Sequence, residues 1–182
     1  MTDVNAIAKA SVEVRDMIAA WAMARADGAP VPFKRDFDPI AIPRLLPHIW
    51  IYRFDPELDD FVCRLAGERI NLAWGAVSLR GQRFRDIVGV KNHASALRRW
   101  LDVIQTPLVQ YGMQEDPLGG TNHAERLVLP MASEGGTVDY TIGLSLYERR
   151  QTDHKLTPPV WDNVHRIACA ELDADFLARL KR

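Results

Sequence analysis

The sequence holds only two cysteines, Cys63 and Cys169, far apart along the chain. That scarcity argues against a disulfide framework and fits a reduced, cytoplasmic setting. No run of about 18 apolar residues occurs, so no membrane-spanning helix is expected. The N-terminal stretch MTDVNAIAKASVEVRD carries acidic residues and no continuous apolar core, unlike a secretory signal. An excess of one charge is lacking too. The 23 Lys and Arg nearly match the 24 Asp and Glu, so no general attraction to nucleic acid or anionic lipid follows. Neither Ser78 nor Ser145 lies in a G-x-S-x-G elbow, and there is no P-loop and no G-x-G-x-x-G. His48, His123, His154 and His165 show no H-x-x-x-H pairing, and with two distant cysteines they form no zinc signature. What remains is a chain of 182 residues, 47% hydrophobic and 26% charged, ordinary for a globular domain with a sizeable core.

The most informative stretch is Phe61 to Gly81. Phe61, Cys63 and Leu65 alternate with Val62, Arg64 and Ala66, which predicts a strand with one apolar face. Gly67 breaks it. Ile70, Ala73 and Trp74 then share one helical face, and Gly75 suits the left-handed position after a helix. A helix folded back over a strand makes one wall of a small cup.

Upstream, Val4, Ile7, Ser11, Val14, Ile18 and Trp21 are spaced alternately three and four apart, which predicts a helix over residues 3–27 with a polar break at Ser11. Two uses of this seam stay open: packing on its own domain, or pairing with a second subunit through Ile7, Val14, Ile18 and Trp21. Asp38-Pro39 is a helix start. His48 to Phe54 reads as a strand with Trp50, Tyr52 and Phe54 on one face and Ile49 and Ile51 on the other. A strand apolar on both faces is covered on both sides. Asp55 to Asp60 reads as a solvated hairpin loop.

Downstream, Gln82 to Val90 has no clear pattern. Asn92 is a candidate cap for a helix reaching about Gln105, with Leu97, Trp100, Leu101 and Ile104 on its apolar stripe and His93 one turn earlier. Three strands, Leu108–Gln114, His123–Met131 and Thr137–Tyr147, follow around glycine-containing turns, as in consecutive hairpins. Thr157-Pro158-Pro159 reads as a linker. Asp173 can cap a last helix bearing Phe176, Leu177 and Leu180, while Val164 to Glu171 fits helix or strand.

Five strands with helices between the second and third are the arrangement of a PAS domain. Trp21, Pro32, Arg35-Asp36, Asp38-Pro39, Leu46-Pro47-His48, Arg64 to Gly67, Trp74-Gly75, Leu79 to Gly81 and Glu125 to Met131 carry the likeness. Over residues 17–147 the chain resembles a family of bacterial, often stand-alone PAS-like proteins. The resemblance implies an α+β fold: a five-stranded antiparallel sheet with helices on one face, plus an N-terminal helix (residues 1–28), the PAS domain (29–150) and a C-terminal extension (151–182). It also implies a sensory or regulatory role, and it carries no catalytic residues.

Flavin photosensors of this superfamily hold a cysteine in an Asn-Cys-Arg-Phe motif on a short helix. Cys63 lies on a predicted strand and the motif is missing, so no cysteine–flavin adduct is expected. Haem-binding members place an axial histidine on the longer helix. His93 is the candidate for that role, against a locally hydrogen-bonded, half-buried histidine. The cofactor is left unknown, with neither haem nor flavin expected.

Arg64 is read either as the anchor of an anionic ligand or as the partner of Glu68 or Glu125. Trp50, Trp74, Trp100, Tyr111 and Tyr140 line a pocket or fill a core. Together with Arg64 and His93 they form the candidate ligand set; no metal site and no catalytic residue is expected. The leading expectation is a non-enzymatic sensor that binds a small apolar ligand, or a kinase or regulator on a separate chain, with a homodimer but no nucleic acid. The alternatives are a ligand-free adaptor with a filled core, told apart by the absence of an internal cavity, and a small-molecule enzyme.

Overall fold

A computed structural model describes residues 3–114, 124–147 and 164–180. The chain opens with two helices where the spacing predicts one: α1 (Asp3–Ala8) and α2 (Val12–Met23). The break is at Ser11. Its hydroxyl accepts the Val14 N–H at 3.4 Å and so caps α2, and its own N–H is taken by Glu125 Oε1 at 3.1 Å. Asp38 caps a short 3₁₀ turn, Pro39–Ala41, and a second, Pro43–His48, leads into the sheet.

The strands are β1 (Ile49–Asp55), β2 (Asp60–Ala66), β3 (Leu108–Gln114), β4 (Ala124–Ala132), β5 (Val138–Tyr147) and β6 (Val164–Ala168). They form one antiparallel sheet in the order β2-β1-β5-β4-β3-β6. The expected five strands are therefore six. The stretch that fits helix or strand becomes β6, because the outer edge of β3 offers a row of backbone groups: Leu108 pairs with Ala168 and Gly112 with Val164.

Between β2 and β3 lie α3 (Glu68–Ala73), α4 (Phe84–Val88) and α5 (Val90–Gln105). Helix α3 ends in a Schellman motif. Gly75 takes φ +64°, its N–H reaches Leu72 O at 3.1 Å, and the Ala76 N–H reaches Asn71 O at 2.9 Å. Helix α5 starts two residues before the expected Asn92 cap, directly after Gly89 at φ +80°.

The sheet is covered on both faces, not one. Helices α3–α5 lie over the face bearing Trp50, Tyr52, Phe61 and Val128. The opposite face, with Ile49, Ile51, Leu127, Leu129, Ile142 and Leu144, is covered by α1, α2 and the last helix, α6 (Ala174–Leu180). The N-terminal seam supplies this second core. Ile7, Val14, Ile18 and Trp21 are each 0% exposed within the single chain. They leave no side-chain surface for a second subunit, so a homodimer would need another face.

Both flanks share this core. Trp21 Nε1 donates to Pro130 O at 2.8 Å, fastening α2 to β4. Arg25 donates to Leu172 O at 2.8 Å, and Asp173 caps α6 by accepting the Phe176 N–H at 2.7 Å. The linker expected at residues 157–159 and the turn expected at 116–120 lie outside the described residues.

One glycine sets the depth of the cup. Gly143 of β5 pairs with Trp50 of β1, and a methyl group on it would stand 2.0 Å from the Trp50 ring. Gly143→Ala is expected to lower stability by about 1–3 kcal/mol, the usual range for overpacking. Urea denaturation checks this; an unchanged midpoint would mean the Trp50 ring does not rest on β5.

Candidate functional site

The candidate site is the cup between α4–α5 and the sheet. Its centre is Trp100 of α5. One face of the Trp100 ring stacks on Trp50 of β1, with centroids 4.7 Å apart and planes within 5°. The ring also stacks on Phe84 of α4 at 4.0 Å. Tyr52 and Phe61 meet Trp100 edge-on at 5.1 and 5.4 Å. The polar edge of Trp50 is satisfied: its Nε1–H donates to Ser145 Oγ at 2.9 Å. Offset and edge-on contacts are the favourable arrangements of aromatic rings, so the cluster is a packed core rather than an open cage.

Among the described residues, the space left in the cup beside Phe84, Ala96, Arg99, Trp100, Gln110 and Arg126 is about 30 Å³. That is roughly one water molecule's share of the liquid. Cofactor and ligand pockets usually reach about 300–1,000 Å³.

His93 stands in the first turn of α5, and its Nε2 lies 3.0 Å from Asp60 Oδ1. Facing a carboxylate, that nitrogen acts as the donor, so His93 makes the local hydrogen bond weighed against the ligand role in the sequence. Asp60 itself is 0% exposed. Its Oδ1 also accepts the Phe61 N–H at 2.9 Å, its Oδ2 accepts the Arg85 N–H at 3.1 Å, and the Arg83 guanidinium lies 3.6 Å away. One carboxylate thus joins the start of β2 to the starts of α4 and α5. The sequence reading placed Asp60 in a solvated loop with Asp59. The structure corrects this because its partners come from residues 83–93.

Of the sequence-derived set, the structure brings Trp50 and Trp100 together. Trp74 is half-buried at the end of α3, on the margin of the same core. Arg64 is exposed and lines a separate open groove of about 710 Å³ with Arg53, Glu57, Leu101 and Ile104. It pairs with neither Glu68 nor Glu125 among the described residues. Glu125 is buried on the other face, where its Oε1 accepts the Tyr111 hydroxyl at 2.5 Å. Burial, and then this bond to Glu125, push the Tyr111 phenol well above its ordinary range. Tyr111 and Tyr140 both pack with the α1–α2 side, away from the cup.

Sequence reasoning missed Phe84, Arg99, Gln110 and Arg126. Phe84 lies between two arginines in a segment without periodicity, and Gln110 and Arg126 become neighbours of the cup only through the register of β3 and β4. Cys63, also in this core, has its thiol pushed up by burial, so it stays protonated rather than acting as a reactive thiolate.

A family model described as a PAS domain matches residues 9–146. No curated protein matches. Similar solved structures include a sensory box sensor histidine kinase from Vibrio cholerae, at 16% identity, covering 59% of this chain and 87% of that one with a TM-score of 0.42. The PAS domain of Bordetella pertussis BvgS has 14% identity, covers 65% of this chain and 88% of that one, and gives a TM-score of 0.45. The Vibrio cholera VqmA–ligand–DNA complex has 15% identity and a TM-score of 0.43, with 59% of this chain spanning 49% of VqmA. The match to the family model spans most of the sequence: the chain belongs to the PAS domain family.

Proposed function

We propose that this protein is a sensory or regulatory PAS module that works by binding another protein, with its cup filled by its own side chains. One observation carries the reading: Trp50, Trp100 and Phe84 form a continuous stack where a ligand would lie, leaving about 30 Å³. Of the sensor and adaptor alternatives, this favours the adaptor. The partner is a signalling protein such as a kinase or a regulator on a separate chain. Output is a population shift: a partner that prefers one placement of α4–α5 over the sheet biases the ensemble toward it. No catalytic role is assigned: among the described residues the cup presents aromatic rings, and the His93–Asp60 pair at its margin is taken up in fastening β2 to α4 and α5.

Native mass spectrometry of freshly purified protein, with its ultraviolet–visible spectrum, tests this. The expected result is the mass of the polypeptide and the absorption of its aromatic residues alone. A co-purifying organic ligand too large for that remaining space, or a chromophore band, would overturn the filled-cup reading.

A further inference from the structure

The cup is apolar at its centre but not at its β3–β4 end. There the remaining cavity is bounded by the Arg99 side chain from α5, Gln110 from β3 and Arg126 from β4. The register explains the space. On this face Arg126 of β4 lies opposite Gly112 of β3, which in turn lies opposite Val164 of β6, so β3 offers no side chain between them. Arg166 of β6 is opposite Gln110 and brings a third guanidinium to the same end of the sheet.

These groups are unequally satisfied. Arg166 pairs with Asp102 at 3.5 Å, and Arg126 donates to the Tyr147 hydroxyl at 3.0 Å. Arg99 is half-buried and makes no ion pair or hydrogen bond to any described residue. Gln110 is 6% exposed, and its Oε1 is buried without a hydrogen-bond partner. Turning that amide over would present its NH₂ group instead, since the two ends of an amide are interchangeable in outline. Burial, followed by the charges of Arg126 and Arg166, holds the Arg99 guanidinium below the usual arginine range. Of the three, Arg99 is the half-buried guanidinium whose charge no described carboxylate pairs, and such a group favours an anion beside it.

We infer that the β3–β4 end of the cup is a binding site for one small planar oxyanion of the carboxylate type, held by Arg99 and Gln110 beside Arg126. The cavity sets the size: about 30 Å³ admits an ion near formate in bulk and no extended metabolite. The chemistry sets the shape, because two oxygens in a plane match the two parallel N–H groups of a guanidinium. The inference rests on the filled-cup reading, because the aromatic stack is what confines the site to this corner.

The test is thermal unfolding of the whole chain in a low-salt zwitterionic buffer, titrated with sodium formate or, at matched ionic strength, sodium chloride. Formate at about five times its dissociation constant is expected to raise Tm saturably by about 2–4 °C more than chloride does. In Arg99→Gln, whose folding circular dichroism verifies, the formate and chloride curves are expected to coincide. Line broadening of labelled formate by the wild-type protein, absent with the variant, gives a second readout independent of stability. Identical formate and chloride curves for the wild type, or an undiminished formate effect in the variant, would overturn the site. Either failure leaves the filled cup standing, whereas a large co-purified ligand would remove both.

Discussion

Replacing Trp100 with alanine is expected to lower stability by about 3–5 kcal/mol and to create a cavity that indole refills. The size of the effect follows from the ring's position. Trp100 is 5% exposed, stacks on Trp50 and on Phe84, and receives the edges of Tyr52 and Phe61. It is the principal contact between α5 and the sheet, and β1, β2 and α4 all meet it. Its neighbours come from three different elements, so they cannot close the gap by moving together; the residual cavity adds to the lost transfer energy. Added indole should raise the urea midpoint of the variant and leave the wild type unchanged, since the wild-type cup has no room for it. A loss below about 1 kcal/mol, with no indole effect, would mean that the ring is not at the centre of a packed core.

Asp60→Ala is the second large effect, expected at about 3–5 kcal/mol. The carboxylate is wholly buried, and its removal strands three donors at once: the Phe61 and Arg85 backbone N–H groups and His93 Nε2–H. It also leaves the Arg83 guanidinium without its nearest carboxylate. Asp60→Asn keeps the volume and one acceptor, so a smaller loss is expected. Because Asp60 pins the starts of both α4 and α5, amide exchange should speed up throughout those helices and much less in β4 and β5. A double-mutant cycle with His93→Gln measures the pair directly. Additive effects there, or an Asp60→Ala loss within about 0.5 kcal/mol, would show that this carboxylate does not hold the helices in place.

How far these features could be read in advance depended on the range of the interactions. Local patterns were legible. The alternation of Ile49 and Ile51 with Trp50 and Tyr52 gave the two-sided burial of β1, and that strand is sandwiched between the two cores. The caps at Asp38 and Asp173 and the helix stop at Gly75 each depend on backbone groups within a few residues. The N-terminal stripe was equally clear, but a stripe says only that something apolar covers it; here the cover is the chain's own β4 and β5. The candidate site was harder. Asp60 sits beside the exposed Asp59 at the end of a polar loop, and nothing within that loop distinguishes them. What buries Asp60 is Arg83, Arg85 and His93, more than twenty residues downstream. Tyr111 and Tyr140 are aromatic residues in predicted strands, yet their position in the alternation sends both to the face away from the cup.

The central claim is that the PAS cup is filled by its own aromatic rings. The most direct test is nuclear Overhauser spectroscopy of the purified protein with its aromatic residues labelled. The account predicts cross-peaks from the Trp100 ring protons to both Trp50 and Phe84, together with slow solvent exchange of the Trp50 indole N–H that is bonded to Ser145. A Trp100 ring with no cross-peak to either partner, and a Trp50 N–H that exchanges freely, would contradict it.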